Sequence, residues 1–326
     1  GRILGQGADG GQVEVSGHDT LVFRGDVDLT AAGGTTGTLL LDPLTLFLGL
    51  VPDPPGAGEQ DPNLAAGNDV LFADADIADA GDSDPNANTI TAAQIAVLPA
   101  AANVIFQATD TITILDQPAV TLAFPTTAGN TVTMTTTNVA GGGIVFADVT
   151  DQITTAGGNL TMTSAAGLGL ASFNTGAGTL TLSAGVGGVL LRNVTAGALS
   201  VTAPGGINDS PGATVAIAGN ASFNSTGGGA VDFGNAPGTL VTFGSVAFNG
   251  GVVNIAEDDA MLLAESALVP VLTASAGLTL TSTAGITDAA DTDVTVTGAA
   301  VLTGGAAISL VNDAGDLPLN IDAVGV

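Results

Sequence analysis

Apolar and polar residues alternate with a period of two along much of this chain. Segments such as NLTMTS (159–164) and TLTLSA (179–184) place threonine or serine between apolar residues, and Gly, Asn or Asp lie nearby. This pattern is typical of short β-strands with one buried face. The alternation recurs in QVEVSG (12–17), NVIFQA (103–108), TITIL (111–115), TVTMTT (131–136), LSVTA (199–203), LTLTS (278–282) and VTVTG (294–298).

Only one segment is a candidate helix, EDDAMLLAESALVPVL (257–272). Its helix-forming residues are crowded at one end. Pro270 would stop a helix there, because proline lacks the main-chain N–H donor and its ring clashes with the preceding turn. We therefore predict an all-β chain.

The strands recur at regular intervals. Leu160, Leu180 and Leu199 begin similar strands about 20 residues apart. A longer repeat lies within 199–326, where residues 199–223 align without a gap onto 278–302 at an offset of 79. Identical pairs in this alignment are Leu199/Leu278, Thr202/Thr281, Gly206/Gly285, Ile207/Ile286, Asp209/Asp288, Val215/Val294, Gly219/Gly298 and Ala221/Ala300.

A unit of about 20 residues suits one coil of a parallel β-solenoid, in which each coil buries its apolar face only by stacking on its neighbours. We predict a single solenoid over residues 1–326. Inward positions of its strands should form a continuous core: Leu160, Met162, Leu180, Leu182, Leu199 and Val201. Phenylalanines such as Phe146, Phe173, Phe223 and Phe243 are expected at inward corners, because the interior of a coil is narrow.

Composition and charge exclude several classes of partner. The chain has 326 residues, 31 of them Asp or Glu and only three Lys or Arg, and its formal net charge is −28. Nucleic acids and anionic membrane surfaces are therefore poor partners, because almost nothing in the chain could neutralise phosphate groups. The absence of cysteine rules out disulfides and thiolate metal sites. The longest apolar run, LTLFLGLV (44–51), is too short to span a bilayer.

Residues 51–88 interrupt the strand pattern with several prolines and a high density of acidic residues. We interpret this segment as a loop or insertion projecting from the solenoid. Its carboxylates could supply the several oxygen ligands that Ca²⁺ requires, although a solvated acidic surface explains the same composition. The predicted Ca²⁺ ligands are Asp74, Asp76, Asp79, Asp82 and Asp84, and no other cofactor is expected. Further acidic clusters lie at 257–259 and at Asp288, Asp291 and Asp293.

Residues 21–31, LVFRGDVDLTA, contain the tripeptide Arg24-Gly25-Asp26. Integrins recognise this tripeptide on adhesive ligands when an exposed, flexible loop presents it. Here predicted strands flank it closely, so we interpret it as part of the solenoid. An adhesive role for Arg24, Gly25 and Asp26 remains the alternative.

Three stretches near the N-terminus, GGQVEVSG (10–17), LVFRGDVDLTA (21–31) and GTLLLDP (37–43), resemble filamentous haemagglutinin-like exoproteins of Gram-negative bacteria. The resemblance extends more loosely to about residue 175. It implies a right-handed parallel β-helix, surface exposure, and adhesive or structural work without catalysis. The secretion domain of this family should lie upstream, so residue 1 is expected to fall inside a longer precursor.

We expect a structural role, as a stalk or a self-assembling fibre on the bacterial surface. Open strand edges at the ends of a solenoid template further pairing, which favours a homopolymer built end to end. One alternative is an adhesin that binds a cell-surface or matrix partner on host or neighbouring cells through Arg24-Gly25-Asp26 or the loop at 51–88. The other is a polysaccharide-active enzyme. The single histidine, His18, lies in a turn and suits no metal or catalytic motif, whereas a pair of carboxylates would suffice for a hydrolase.

Thr-x-Thr pairs recur along the chain, for example at Thr131/Thr133, Thr161/Thr163 and Thr179/Thr181. Several ice-binding proteins present ranks of outward threonines on a solenoid. High β-propensity explains the same pattern, and irregular coil lengths together with Ser200 would interrupt a rank. From the sequence we therefore interpret these threonines as ordinary strand residues.

Overall fold

A computed structural model of the chain describes residues 2–4, 9–16, 26–29, 34, 37–49, 89–90, 92–117, 121–169, 171–310 and 320–322. The predicted insertion at 51–88 lies outside these residues, as do Arg24 and Gly25. Asp26 is included because it begins a strand.

The described residues form short strands joined by turns. The first are β1 (Arg2–Leu4), β2 (Gln12–Ser16), β3 (Asp26–Asp28), β4 (Thr38–Asp42), β5 (Thr45–Leu48), β6 (Thr89–Ile90), β7 (Asn103–Ala108), β8 (Thr111–Ile114), β9 (Thr121–Thr127), β10 (Thr131–Thr136), β11 (Gly143–Phe146), β12 (Gln152–Ala156) and β13 (Asn159–Ser164). They continue with β14 (Ser172–Asn174), β15 (Thr179–Ala184), β16 (Val189–Leu191), β17 (Val194–Ala196), β18 (Ala198–Ala203), β19 (Ile207–Asp209), β20 (Thr214–Ser225), β21 (Val231–Phe233), β22 (Leu240–Glu257), β23 (Met261–Leu263), β24 (Leu272–Ser282), β25 (Ile286–Asp288), β26 (Val294–Thr297), β27 (Ala300–Gly304), β28 (Ile308–Ser309) and β29 (Asn320–Asp322).

One helix is described, α1 (Ala92–Ala96), and it buries Ile95. This helix was not predicted from the sequence. The candidate helix at 257–272 is not one: this stretch contains the end of β22, all of β23 and the first residue of β24. Met261 and Leu263 are buried and alternate with the less buried Leu262, so the strand pattern continues and prevails over helix propensity.

Every pairing between these strands is parallel, and 23 of them join in one sheet. Neighbours in the sheet are strands one coil apart in sequence. Thr179 contacts Asn159 across 20 positions, and Thr131 contacts Asn103 across 28. The fold is therefore all-β with a large parallel sheet, and it is compatible with a β-solenoid.

The pairings trace three ladders. The first ladder runs through β2, β4, β7, β10, β13, β15 and β18 into the second half of β20. The second runs through β16, β19 and β21 into β22 near Val253, then β24 near Leu278 and β27. The third runs through β9, β12, β14 and β17 into β20 near Val215 and β22 near Val241.

The core lies between the ladders. All six residues predicted to point inward are at most 1% exposed, which confirms the alternation: Leu160, Met162, Leu180, Leu182, Leu199 and Val201. Phe173, Phe223 and Phe243 are buried as predicted, whereas Phe146 is only partly buried. Each buried side chain of this size contributes about 1.5–3 kcal/mol of hydrophobic stabilisation.

The two copies of the 79-residue sequence repeat lie on different ladders. Leu199 pairs with Leu180 on the first ladder, while Leu278 pairs with Val253 on the second. All ladders offer the same environment, with inward apolar residues alternating with outward polar ones. A repeated sequence therefore fits either place.

No helix among the described residues is long and apolar enough to cross a membrane.

Candidate functional site

Most of the residues predicted to form sites lie outside the described part of the chain. These include Asp74, Asp76, Asp79, Asp82 and Asp84 of the predicted Ca²⁺ site, together with Arg24 and Gly25. Asp26 begins β3, and Arg2 of β1 is its partner in the strand register. Both predictions therefore stay predictions.

Within the described ranges, no group of three or more His, Cys, Asp or Glu residues is placed to hold a metal ion. The cluster at 257–259 illustrates the reason. Glu257 is only 2% exposed, Asp258 turns back to bind a main-chain N–H, and Asp259 is exposed. The three carboxyl groups therefore lie in different environments and do not point toward a common site.

The third ladder is interrupted beside Val241 and Phe243, where Glu257 and Asp258 take the place of a paired strand. We call this interruption the seam. The N–H groups of Val241 and Phe243 point away from β20. On that side, a further paired strand would normally accept their hydrogen bonds. Asp258 Oδ2 accepts the Val241 N–H at 2.7 Å, and Glu257 Oε1 accepts the Phe243 N–H at 2.8 Å. The two carboxyl groups thus satisfy donors that strand pairing satisfies elsewhere.

Glu257 is an unusual residue for this position. Its Oε2 atom is buried and has no hydrogen-bond partner. Burial raises the pKa of its carboxyl to about 8, with the nearby charges of Asp259 and Asp258 acting in the same direction and the Phe243 N–H acting against them. At neutral pH the group is therefore mostly protonated, because ionisation would bury an uncompensated charge.

Asp151 is a second buried carboxyl, at the turn before β12. It is 1% exposed, its Oδ2 accepts the Gln117 main-chain N–H at 3.0 Å, and its Oδ1 has no partner. Burial raises its pKa, and the charges of Asp116 and Asp148 add to this, while the Gln117 N–H lowers it. Like Glu257, it supports main-chain groups and is closed to a substrate.

Polar ladders run along the outside of the coils. Asn249 donates to Asn224 at 2.8 Å, and Asn254 donates to Asp232 at 3.2 Å, each one coil earlier. Asn235 also donates to Asp232, at 2.8 Å. The first two bonds join neighbouring coils and reinforce the stacking, whereas the bond from Asn235 lies within one coil.

The core continues to the outermost described coils but is incompletely covered there. Leu280 is fully buried, whereas Leu302, its partner one coil later, is only partly buried. Ile286 is likewise fully buried, while its partner Ile308 is 41% exposed. Among the described residues, β27 and β28 pair on one side only.

The opposite end shows the same feature. Val13 and Val15 of β2 are partly buried, whereas their partners Leu39 and Leu41 of β4 are fully buried. Within the described part of the chain, β2 pairs only with β4. Within the described residues, both outermost coils thus have partly covered inward apolar residues and a strand edge that no described strand pairs.

Comparison with known proteins returned no relative: no family model, no curated protein and no solved structure matches this chain.

Proposed function

We propose that this protein is a structural, extracellular β-solenoid of a bacterial surface, acting as a stalk or as the subunit of a self-assembling fibre. The observation that carries the proposal is the incomplete cover of the inward residues at both outermost coils, typified by Ile308 and Val15. A further coil of the same kind would bury these residues and pair the free strand edges.

The finer features of the proposal come from the sequence. We propose a right-handed coil, because parallel crossovers are right-handed in nearly all proteins. Residues 51–88 are proposed to project as an insertion. Their place in the chain agrees with this, since Gln107 of β7 contacts Asp42 of β4 across 65 positions. The resemblance of residues 10–43 to filamentous haemagglutinin-like exoproteins supports surface localisation, and the proposal includes no catalytic step.

A second copy of the chain could supply such a coil. The inward residues at the two ends are aliphatic, namely Val13 and Val15 on β2 and Leu302 and Ile308 on β27 and β28. Head-to-tail stacking would be heterologous and would not close, so it would generate a filament. Each added interface would extend the core.

Electron microscopy and analytical ultracentrifugation across a concentration series test this proposal. The wild type is expected to form fibres whose axial repeat equals the length of one rod. Ile308→Lys should abolish them, because a charge at an inward end position opposes burial. Leu190→Lys is the matched control, since Leu190 is similarly exposed (47% against 41%) but lies outward on the second ladder.

Wild-type protein that sediments as a monomer at every concentration would refute the proposed role as a fibre subunit. The role as a stalk would then be the one that agrees with the result. Equal loss of assembly in both lysine variants would refute the assignment of the interface to the coil ends.

A further inference from the structure

Eight hydroxyl side chains form two straight columns on the first ladder. Across β10, β13, β15 and β18, Thr133, Thr161, Thr181 and Ser200 are successive register partners in one column. Two residues further along each strand, a second column consists of Thr135, Thr163, Ser183 and Thr202. All eight side chains are partly exposed on the outer face.

None of the eight hydroxyl groups forms a hydrogen bond within the described part of the chain, in contrast to the inward Thr136, which pairs with Ser164. All eight are therefore available for hydrogen bonds to water. Threonine is stiff at χ1 because it is β-branched, so the methyl and hydroxyl groups of each column keep a fixed arrangement. We call this surface the hydroxyl array.

The hydroxyl array is uncharged, although the protein as a whole carries a net charge of −28. Between Gln117 and Asn208 the only charged residues are Asp148, Asp151 and Arg192. Asp148 and Asp151 precede β12 on the third ladder, and Arg192 lies between β16 and β17. The turns beside the array consist largely of glycine and alanine. On one side β7 places the uncharged Ile105 and Gln107 next to Thr133 and Thr135, and Gln107 separates the array from Asp42 of β4, to which it donates at 3.3 Å.

Unequal coil lengths do not break the columns. The coil from Thr131 to Asn159 spans 28 positions and the next spans 20, yet the register of β10, β13 and β15 continues without a shift. The additional residues are accommodated on the other sides of the coil. Unequal coil lengths therefore do not interrupt the rank of threonines on these strands.

We propose that the hydroxyl array binds ice. Its hydroxyls repeat about every 4.8 Å between strands and about every 6.6 Å along a strand. These spacings are close to the repeats of water oxygens on the prism faces of ice. The methyl groups order water around them and the hydroxyls anchor it, so the ordered layer can merge with a growing ice surface.

The absence of charge is what selects ice over other flat ligands. An ionised side chain orients water around itself and disrupts the lattice, so an ice-binding surface must exclude such groups. Flat carbohydrate surfaces are usually bound by stacking on aromatic rings, and these four strands carry no aromatic residue. Acidic residues elsewhere on the chain keep the rest of the surface hydrated.

Thermal hysteresis and inhibition of ice recrystallisation, measured on the whole chain, test the proposal. The wild type should shape ice crystals into facets. Thr161→Lys, at the centre of the array, should reduce the activity at least tenfold. Thr279→Lys is the matched control, because Thr279 is also an outward, partly exposed strand residue but lies on the second ladder.

Ser200→Thr supplies the opposite test, since it adds a methyl group to the first column and should raise the activity. Circular dichroism verifies that each variant keeps its β-structure. The proposal is overturned if the wild type affects ice no more than an unrelated acidic protein, or if both lysine variants lose activity equally. Dimerisation that depends on Thr161, without any effect on ice, would also overturn it by identifying a second copy as the occupant.

Discussion

Replacement of Glu257 by glutamine is expected to make the protein more stable at neutral pH and to flatten the dependence of its stability on pH. Glutamine keeps an oxygen acceptor for the Phe243 N–H, which Glu257 Oε1 now accepts at 2.8 Å. It fills the same space at the seam but does not ionise. The substitution therefore isolates the consequence of burying an ionisable carboxyl.

The magnitude follows from the pKa of Glu257, about 8 in the folded chain against an ordinary value of 4.5. An acid whose folded pKa is raised stabilises the fold only while it is protonated. Its contribution is therefore lost as pH rises through the window between these two values. At 1.36 kcal/mol per pKa unit, the wild type should lose about 3 kcal/mol of unfolding free energy between about pH 5 and pH 8 through this residue alone.

Urea unfolding of the wild type and of Glu257→Gln at a series of pH values measures the difference. Glu265→Gln is the control, because Glu265 also accepts a main-chain N–H, from Asp293 at 2.9 Å, but is only partly buried. Subtracting its pH dependence leaves the contribution of burial at Glu257. Wild-type and Glu257→Gln curves that run parallel over this pH range would refute the reasoning.

A direct titration is also feasible, since the chain contains only four glutamates, Glu14, Glu59, Glu257 and Glu265. Labelling with ¹³C-glutamate gives one carboxyl NMR signal for each, and Glu257→Gln assigns its own signal by removing it. The assigned signal should titrate near pH 8. A midpoint near the ordinary value would contradict the buried, unpartnered state of Oε2.

Two further substitutions test the packing of the coils. Gly178→Ala should destabilise the fold by about 1–3 kcal/mol, because the added Cβ would overlap the carbonyl oxygen of Gly158 in the neighbouring coil. Gly167→Ala is the control, because the nearest atom to its added Cβ lies 4.0 Å away. Equal losses of unfolding free energy in urea for the two variants would count against the close stacking. Phe223→Ala should cost about 3–5 kcal/mol, because Phe223 stacks on Phe233 at a ring distance of 4.3 Å and contacts Phe243 at 5.6 Å. Hydrogen exchange should accelerate first in β20, β21 and β22, since each coil depends on its neighbours, and uniform acceleration along the whole chain would contradict this.

The alternation of residues was sufficient to predict the strands and the core, because side-chain direction in a strand depends only on the period of two. The same alternation also predicts that the side chain of Glu257 points inward. It follows the buried residues Val253 and Ile255 at two-residue steps. Because Glu257 shares its charge with Asp258 and Asp259, the three residues were predicted together as an acidic cluster and its burial was not predicted. Asp151, two residues before the buried Ile153, was also not predicted to be buried.

The ladders themselves were not predictable from this pattern. Every ladder presents the same alternation, so the sequence does not reveal which strands lie on which side of the coil. The repeat that relates Leu199 to Leu278 suggested corresponding places, yet the two residues lie on different ladders. The seam depends on where strand pairing stops beside Val241 and Phe243, a non-local property that no short segment encodes.

The seam bears directly on the proposed structural role. In a rod of stacked coils the main-chain hydrogen bonds run along the axis, so resistance to separation of neighbouring coils depends on how many ladders continue across each boundary. Where β22 meets the following coil, the first and second ladders continue through Asn249 and Val253, while carboxyl groups replace strand pairing at Val241 and Phe243 on the third. Beyond these residues, β23 pairs with β22 only at Val246. We therefore expect this boundary to be weaker than its neighbours, and ionisation of Glu257 to weaken it further. A long rod with this boundary in every subunit would yield there first, and earlier in alkaline than in acidic surroundings.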